Sequence, residues 1–178
     1  MSASLTDTHF RFMALSLKIR DAFKPPRKVL QETDIKAGDT VLDFGCGPGS
    51  YSLAAAKLVG KKGQVYSLDI HPMAIKSIKR RAKRQGLKNI EPVFSDGDTG
   101  FPDKSIDLIL VYDVFHEFDE PEKILAEMHR LLKDDGTISL HDHHLNDQEI
   151  ISGMTRSHYF QLAKKNANTY SFKKNQTK

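Results

Sequence analysis

Apolar positions along this chain follow two periods, and the switches between them mark out its elements. In residues 40–44, 64–68, 91–94, 106–112 and 137–141, aliphatic and β-branched residues form short, nearly unbroken runs. Runs of that length, bounded by turn residues, read as strands. Between them the spacing lengthens to that of a helix over residues 50–59, 72–85 and 120–132. The last of these shows its inward stripe in Ile124, Leu125, Met128, Leu131 and Leu132. Gly86 stands where a C-cap belongs, and the segments 60–63 and 133–136 read as turns back into strands. Five strands alternating with helices predict a parallel, doubly wound α/β sheet.

Both ends of the chain leave that rhythm. Residues 9–23 mix Phe10, Phe12, Met13, Leu15, Leu17 and Ile19 with Arg11, Lys18 and Arg20, an amphipathic helix stopped by Pro25-Pro26. A second short helix is expected over residues 27–33 with Val29 and Leu30 inward, then a turn over 35–39. After a helix at 147–155, the strand-like runs 159–163 and 169–172 flank a short polar loop, which predicts a hairpin. A hairpin cannot extend a parallel sheet without reversing a strand, so an antiparallel strand is expected at one edge. The expected division is a helical extension over residues 1–26 and one α/β domain over 27–178. The extension either closes over the ligand end of the sheet as a lid or packs on the sheet edge.

With 178 residues, 39% hydrophobic and 28% charged, the chain suits one globular domain with a real core. Its single cysteine excludes an internal disulfide framework and fits a reducing compartment. No apolar run approaches the ~20 residues that span a bilayer, and the polar start with Asp7 lacks the order of a signal peptide. These features predict a cytoplasmic protein. The net charge of +4 gathers in Lys76, Lys79, Arg80, Arg81, Lys83 and Arg84. Because Ile75, Ile78 and Ala82 share their helix, that basic side reads as a solvated face. No aromatic residue interleaves to stack bases, which argues against nucleic acid.

The candidate chemistry starts at Gly45-Cys46-Gly47-Pro48-Gly49, directly after the first strand and before a helix. Glycines there let a backbone turn with positive φ and come close to a ligand at the carboxyl end of the sheet. Asp69 ends the second strand, at the distance of ~20 residues downstream where an acid holds two ribose hydroxyls. A dinucleotide site would want G-x-G-x-x-G, but the spacing here is G-x-G-x-G and position 50 is serine. Asp43 also sets negative charge where a pyrophosphate would be repelled. An acid in that place suits a ligand bearing cationic groups.

Val41-Leu42-Asp43-Phe44-Gly45-Cys46-Gly47-Pro48-Gly49, then Val65-Tyr66-Ser67-Leu68-Asp69-Ile70, resembles the class I S-adenosylmethionine-dependent methyltransferases. Ser95-Asp96-Gly97, Phe101-Pro102-Asp103-Lys104-Ser105-Ile106-Asp107 and Leu131-Leu132-Lys133-Asp134-Asp135-Gly136 continue the likeness in order, most closely to the small-molecule type related to quinone-biosynthesis methyltransferases. The resemblance implies a Rossmann-like sheet of seven strands, mostly parallel, with an antiparallel C-terminal hairpin. It implies S-adenosyl-L-methionine as cofactor, S-adenosyl-L-homocysteine as product and a small-molecule methyl acceptor as partner. By the same resemblance Gly45, Cys46, Gly47 and Gly49 line the methionine part, with Asp43 near its amino group. Asp69 takes the ribose hydroxyls, Ile70 and His71 flank the adenine, Asp96 accepts from its amino group and Gly97 passes near the ring. Tyr112 falls at a position that contacts the methionine end. On the residues alone, Cys46 reads as a filler in the loop with no base beside it, and Asp107 as a brace for its strand.

Methyl transfer needs alignment in a water-poor pocket and, for an acidic acceptor, a base working near neutral pH, which suits histidine. His116 follows the fourth strand beside Glu117, and His141-Asp142-His143-His144 closes the fifth. If that strand stays extended, His141 and His143 share a face while Asp142 and His144 point the other way. His116, His141 and His143 are therefore the candidate catalytic residues; a capping role for His116 and a solvated strand end for the others are the alternative. A divalent metal held by these imidazoles with Asp142 or Glu117 is a further alternative, although the spacing matches no dedicated metal motif. Asp113-Val114-Phe115-His116 is unlike the Asn/Asp-Pro-Pro-aromatic pattern of enzymes that methylate exocyclic base amines. An RNA or protein methyltransferase docking through the basic helix, or a non-catalytic cofactor-binding module, remain the other readings.

Overall fold

The computed structural model describes residues 6–175; the outermost parts of the expected extension (1–5) and of the expected domain (176–178) lie outside the described residues. Two helices, α1 (Asp7–Phe23) and α2 (Pro26–Leu30), precede the alternation. It then runs β1 (Thr40–Phe44), α3 (Ser50–Val59), β2 (Gln64–Asp69), α4 (Pro72–Gln85), β3 (Ile90–Phe94), β4 (Ile106–Tyr112), α5 (Pro121–Leu131) and β5 (Leu132–His141). The chain closes with α6 (Asp147–Thr155), β6 (Phe160–Lys165) and β7 (Tyr170–Lys174). All seven strands form one sheet in the order β3-β2-β1-β4-β5-β7-β6.

Successive strand residues face opposite sides, and here both sides are covered. Val41, Leu108 and Leu110 face α2 and α3, packing with Val29, Leu30, Ala55 and Val59. Their neighbours Leu42, Ile109 and Val111 face α5 and α6, packing with Leu125, Met128 and Met154. That two-sided burial is why the strands read as unbroken apolar runs. β1 pairs in parallel with both β2 and β4, so the chain reverses its direction of travel across the sheet at β1. A crevice opens at that switch, outside the carboxyl ends of β1 and β4.

The C-terminal hairpin forms as expected, and β7 is its reversed strand, antiparallel to both β5 and β6. β7 slots inside, leaving β6 as the edge. The expected turn at 133–136 belongs to β5: its register jumps from Ile106↔Leu132 to Leu108↔Thr137, so four residues bulge opposite Asp107. Asp107 accepts from Thr40 N–H at 2.8 Å and pairs with Lys133 at 2.6 Å, bracing two strand starts across that bulge.

Capping fixes the helix that matters most for the crevice. The His71 ring accepts from Met73 N–H at 3.2 Å, Pro72 opens α4, and Gly86 closes it at φ 67°. α1 lies over the carboxyl end of the sheet. Its Arg20 reaches Asp113, the residue after β4, at 2.9 Å, and its Phe10 is buried against His71. Among the described residues no helix is long and apolar enough to cross a membrane.

Candidate functional site

The glycine turn is tied to β2 by Gly45 and Cys46, whose N–H groups both donate to the Leu68 carbonyl at 2.9 Å. Gly45, Gly47 and Gly49 all have positive φ, at 72°, 51° and 89°, but they are not equivalent. A Cβ on Gly45 would lie 2.5 Å from Val114, and one on Gly49 only 1.9 Å from Ile78. One on Gly47 would meet nothing nearer than the Met13 methyl at 3.9 Å. Gly45 and Gly49 therefore let the sheet and α4 close up, while Gly47 leaves open room in front of the turn. The turn is braced from α4: the Pro48 carbonyl accepts from Ser77 Oγ at 3.1 Å and Arg81 at 2.7 Å. Arg81, expected on the solvated face, is turned inward for this bond.

Two buried acids lie behind the turn. Asp43 is 2% exposed and accepts from the Ser52 hydroxyl. Burial, reinforced by the nearby charge of Asp69 and opposed by Ser52, pushes its carboxyl up to about 7. Asp69 accepts from Gly47 N–H and His71 N–H, each at 2.8 Å. Burial raises its pKa also, against the lowering effect of those donors. Cys46 is buried, its thiol pushed well above its ordinary value by burial and by both acids, so it stays protonated and fills space. The Tyr112 hydroxyl pairs with Ser139 at 2.8 Å, and burial raises its phenol far above the usual range. Ile70 is half-buried, and Phe10 stacks on His71 with centroids 4.6 Å apart and planes 17° from parallel.

A cavity of about 230 Å³ opens between the glycine turn, the inner face of α1 and the segments after β4 and β5. Met13, Arg20, Gly47, Tyr112, His116 and His143 are on its wall. His116 sits in a tight turn at Phe115–Glu117. Its backbone N–H and ring Nδ1 both meet the Oδ2 of Asp142, at 3.1 and 2.8 Å. Burial works against the ionised form of Asp142, but bonds from His116 and from the His144 N–H outweigh it and hold its pKa below the ordinary value. Nδ1 therefore carries the hydrogen, leaving Nε2, 3.8 Å from Glu117, as the basic nitrogen.

β5 ends at His141, so the alternation expected through residue 144 does not continue. His144 instead stacks between His116 at 4.2 Å and His143 at 3.9 Å. His143 bonds through Nδ1 to Asp113 at 2.8 Å, the same carboxylate that holds Arg20. His141 is just behind the cavity wall: its Nδ1 bonds to the Asn168 carbonyl at 2.7 Å, and its Nε2 lies 3.7 Å from Asp113. Asp96 and Gly97 are not on that wall: they line a second cavity against α5, beside Asp119 and Lys123, while Gly97 is buried near the Phe44 ring at the end of β1. The loop is turned there by Ser95, which accepts from Gly97 N–H at 3.1 Å and donates to the Asp98 carbonyl, leaving Asp96 exposed. Among the described residues no three His, Cys, Asp or Glu side chains converge as metal ligands would.

Arg20, Asp113 and the bracing pair Ser77 and Arg81 were not legible as site residues. Asp113 carries one recognisable signal, its place just past a buried strand, where it adopts φ 55°, a strained value that Asp tolerates better than most residues. Arg20 has none, because its partner is 93 residues away.

The profile of the methyltransferase domain family matches residues 35–177. Demethylmenaquinone methyltransferase of Geobacillus stearothermophilus is 27% identical over 154 residues, covering 85% of this chain and 64% of that protein. Aklanonic acid methyltransferase DauC of Streptomyces sp. (strain C5) is 38% identical over 85 residues, 47% of this chain and 39% of that protein. The chain thus spans less than two thirds of the length of these curated relatives. The solved structure of a SAM-dependent methyltransferase from Aquifex aeolicus matches with a TM-score of 0.74 at 28% identity, over 83% of this chain and 86% of that one. The family match takes in the whole alternation of strands and helices, and the chain belongs to the methyltransferase domain family, with the fold of its S-adenosylmethionine-dependent members.

Proposed function

We propose that this chain transfers a methyl group from S-adenosylmethionine to a small-molecule acceptor held in the cavity between α1 and the His116–Asp142 pair. The observation that carries this reading is the wall at Gly47: an open cradle at positive φ, with Asp43 and Asp69 buried behind it. That combination fits a ligand with a cationic, amino-acid end and a ribose. Gly47 would approach its backbone, Asp43 would answer its positive charge, and Asp69 would exchange its backbone donors for ribose hydroxyls. When bound, the cofactor would supply a methyl activated by its sulfonium, whose sulfur takes the C–S electron pair and departs as a neutral thioether.

The rest of the work falls to this chain's own side chains. Tyr112, Met13 and Tyr51 enclose the cavity and limit water near the reacting centre. Asp142 fixes the ring of His116, and Nε2 of that ring takes a proton from an acidic acceptor as its nucleophilic atom is freed. Arg20 and His143, joined through Asp113, hold α1 down over the acceptor end, so α1 acts as a lid. Phe10 covers His71, so α1 must open at that end for the adenine to enter. Demethylmenaquinone and aklanonic acid, the compounds in the names of the relatives given above, are the acceptors to test first. Incubation with methyl-labelled S-adenosylmethionine and a panel of such acceptors should move label into the organic extract. Label that stays entirely with the cofactor across the panel contradicts the reading.

A further inference from the structure

The two faces of α1 have different surroundings. Phe10, Met13, Leu17 and Arg20 turn inward, toward the crevice. On the other side Phe12, Leu15, Ile19 and Phe23 are 75, 57, 56 and 83% exposed. Spaced three, four and four residues apart, they form one line along the outer face, about 16 Å long at 1.5 Å per residue. Scattered apolar residues are ordinary on a surface, but four large ones in register are not.

The margins of this stripe are cationic. Arg11, Lys18 and Lys24 are exposed beside it, and Arg27 and Lys28 are exposed just past its end. The acids of the described helix are Asp7 at its start and Asp21, which is paired with Arg20 at 2.9 Å.

We propose that the outer face of α1 docks on the surface of an anionic lipid bilayer. The stripe would sink into the boundary between headgroups and acyl chains, and the basic margin would meet the lipid charge. A second copy of the chain is the poorer occupant, because a two-fold pairing of this face sets its cationic margins against each other. The inference stands apart from methyl transfer: it needs only the helix, its exposure and its charge.

The test is cosedimentation of the full chain with vesicles of phosphatidylcholine alone or mixed with phosphatidylglycerol. Binding is expected to the anionic vesicles and to fall steeply on neutral ones. The double variant Phe12→Ser/Phe23→Ser should bind the anionic vesicles at least about tenfold more weakly, since two large rings are lost from the buried face. The variant Lys18→Glu/Lys24→Glu should lose binding in low salt. Melting temperatures within about 2 °C of the parent show that either variant is folded. Three results would overturn the proposal: no binding to anionic vesicles, equal binding by the folded Phe12→Ser/Phe23→Ser variant, or light scattering that shows a dimer made monomeric by that variant without any vesicle binding.

Discussion

The Nδ1–H of His116 is held by a buried carboxylate, that of Asp142, at 2.8 Å. A second bond from the His116 backbone to the same oxygen makes the ring's position a property of the turn rather than of a free rotamer. Removing the imidazole in His116→Ala should lower kcat by about 10²–10⁴-fold if it serves as base. Asp142→Asn should cost less and through orientation, while cofactor affinity changes little in either variant. Steady-state rates beside calorimetric affinities check this, and equal losses in rate and affinity would assign the pair a purely structural role.

The pH dependence of cofactor binding should report Asp43. Its carboxyl in the ligand-free chain sits at about 7, and a cationic ligand favours its ionised form. Binding then releases a proton, so affinity for S-adenosylmethionine should climb as pH rises toward 7 and level off above. S-adenosylhomocysteine, without the sulfonium, should show a shallower climb. Stability runs the other way. The folded pKa lies above the unfolded value of about 3.9, so ligand-free stability falls as pH rises from about 4 to 7 and is flat beyond. Asp43→Asn should abolish both slopes, raise the melting temperature at pH 8 by roughly 2–10 °C, and weaken binding.

The three glycines should separate under substitution by alanine. Gly49→Ala drives a methyl into Ile78 at 1.9 Å and should destabilise the chain by more than about 2 kcal/mol, with partial recovery in the double variant with Ile78→Ala. Gly47→Ala meets open space, so only the positive φ is penalised, at about 1 kcal/mol. It should fold and yet bind the cofactor poorly. Denaturant melts with binding titrations distinguish the two.

Arg20→Ala removes the 2.9 Å tie between α1 and Asp113. Backbone amides of α1 should then exchange faster with solvent while those of β4 stay protected, and KM for the acceptor should rise more than kcat falls. Uniform protection across α1 would show that the tie does not hold the helix.

Much of this was legible in the sequence because the sheet is buried on both sides. Val41, Leu42, Ile109 and Leu110 had to be apolar whichever face they took, so β1 and β4 stand out as runs. The glycine turn and Asp69 were legible because their spacing follows from one strand, one turn and one helix. The histidine arrangement was not. It depends on where β5 stops, and the bond from His141 to the Asn168 carbonyl involves a hairpin 27 residues on. The inward turn of Arg81 was hidden for a related reason. Its helix position is polar by pattern, and only the Pro48 carbonyl across the crevice makes it a brace. Asp96 follows a matching motif, yet the local Ser95 turn directs it outward.

Methyl transfer by this chain requires one cofactor site built around Gly47 and Asp69, and titration calorimetry with S-adenosylhomocysteine tests that site most directly. The parent chain should bind with a micromolar dissociation constant and a stoichiometry near one per chain. Asp69→Ala should lose at least about tenfold in affinity, as expected when two hydrogen bonds to a buried charged group are removed. An absence of binding heat up to millimolar ligand, or full affinity in a folded Asp69→Ala variant, would contradict it.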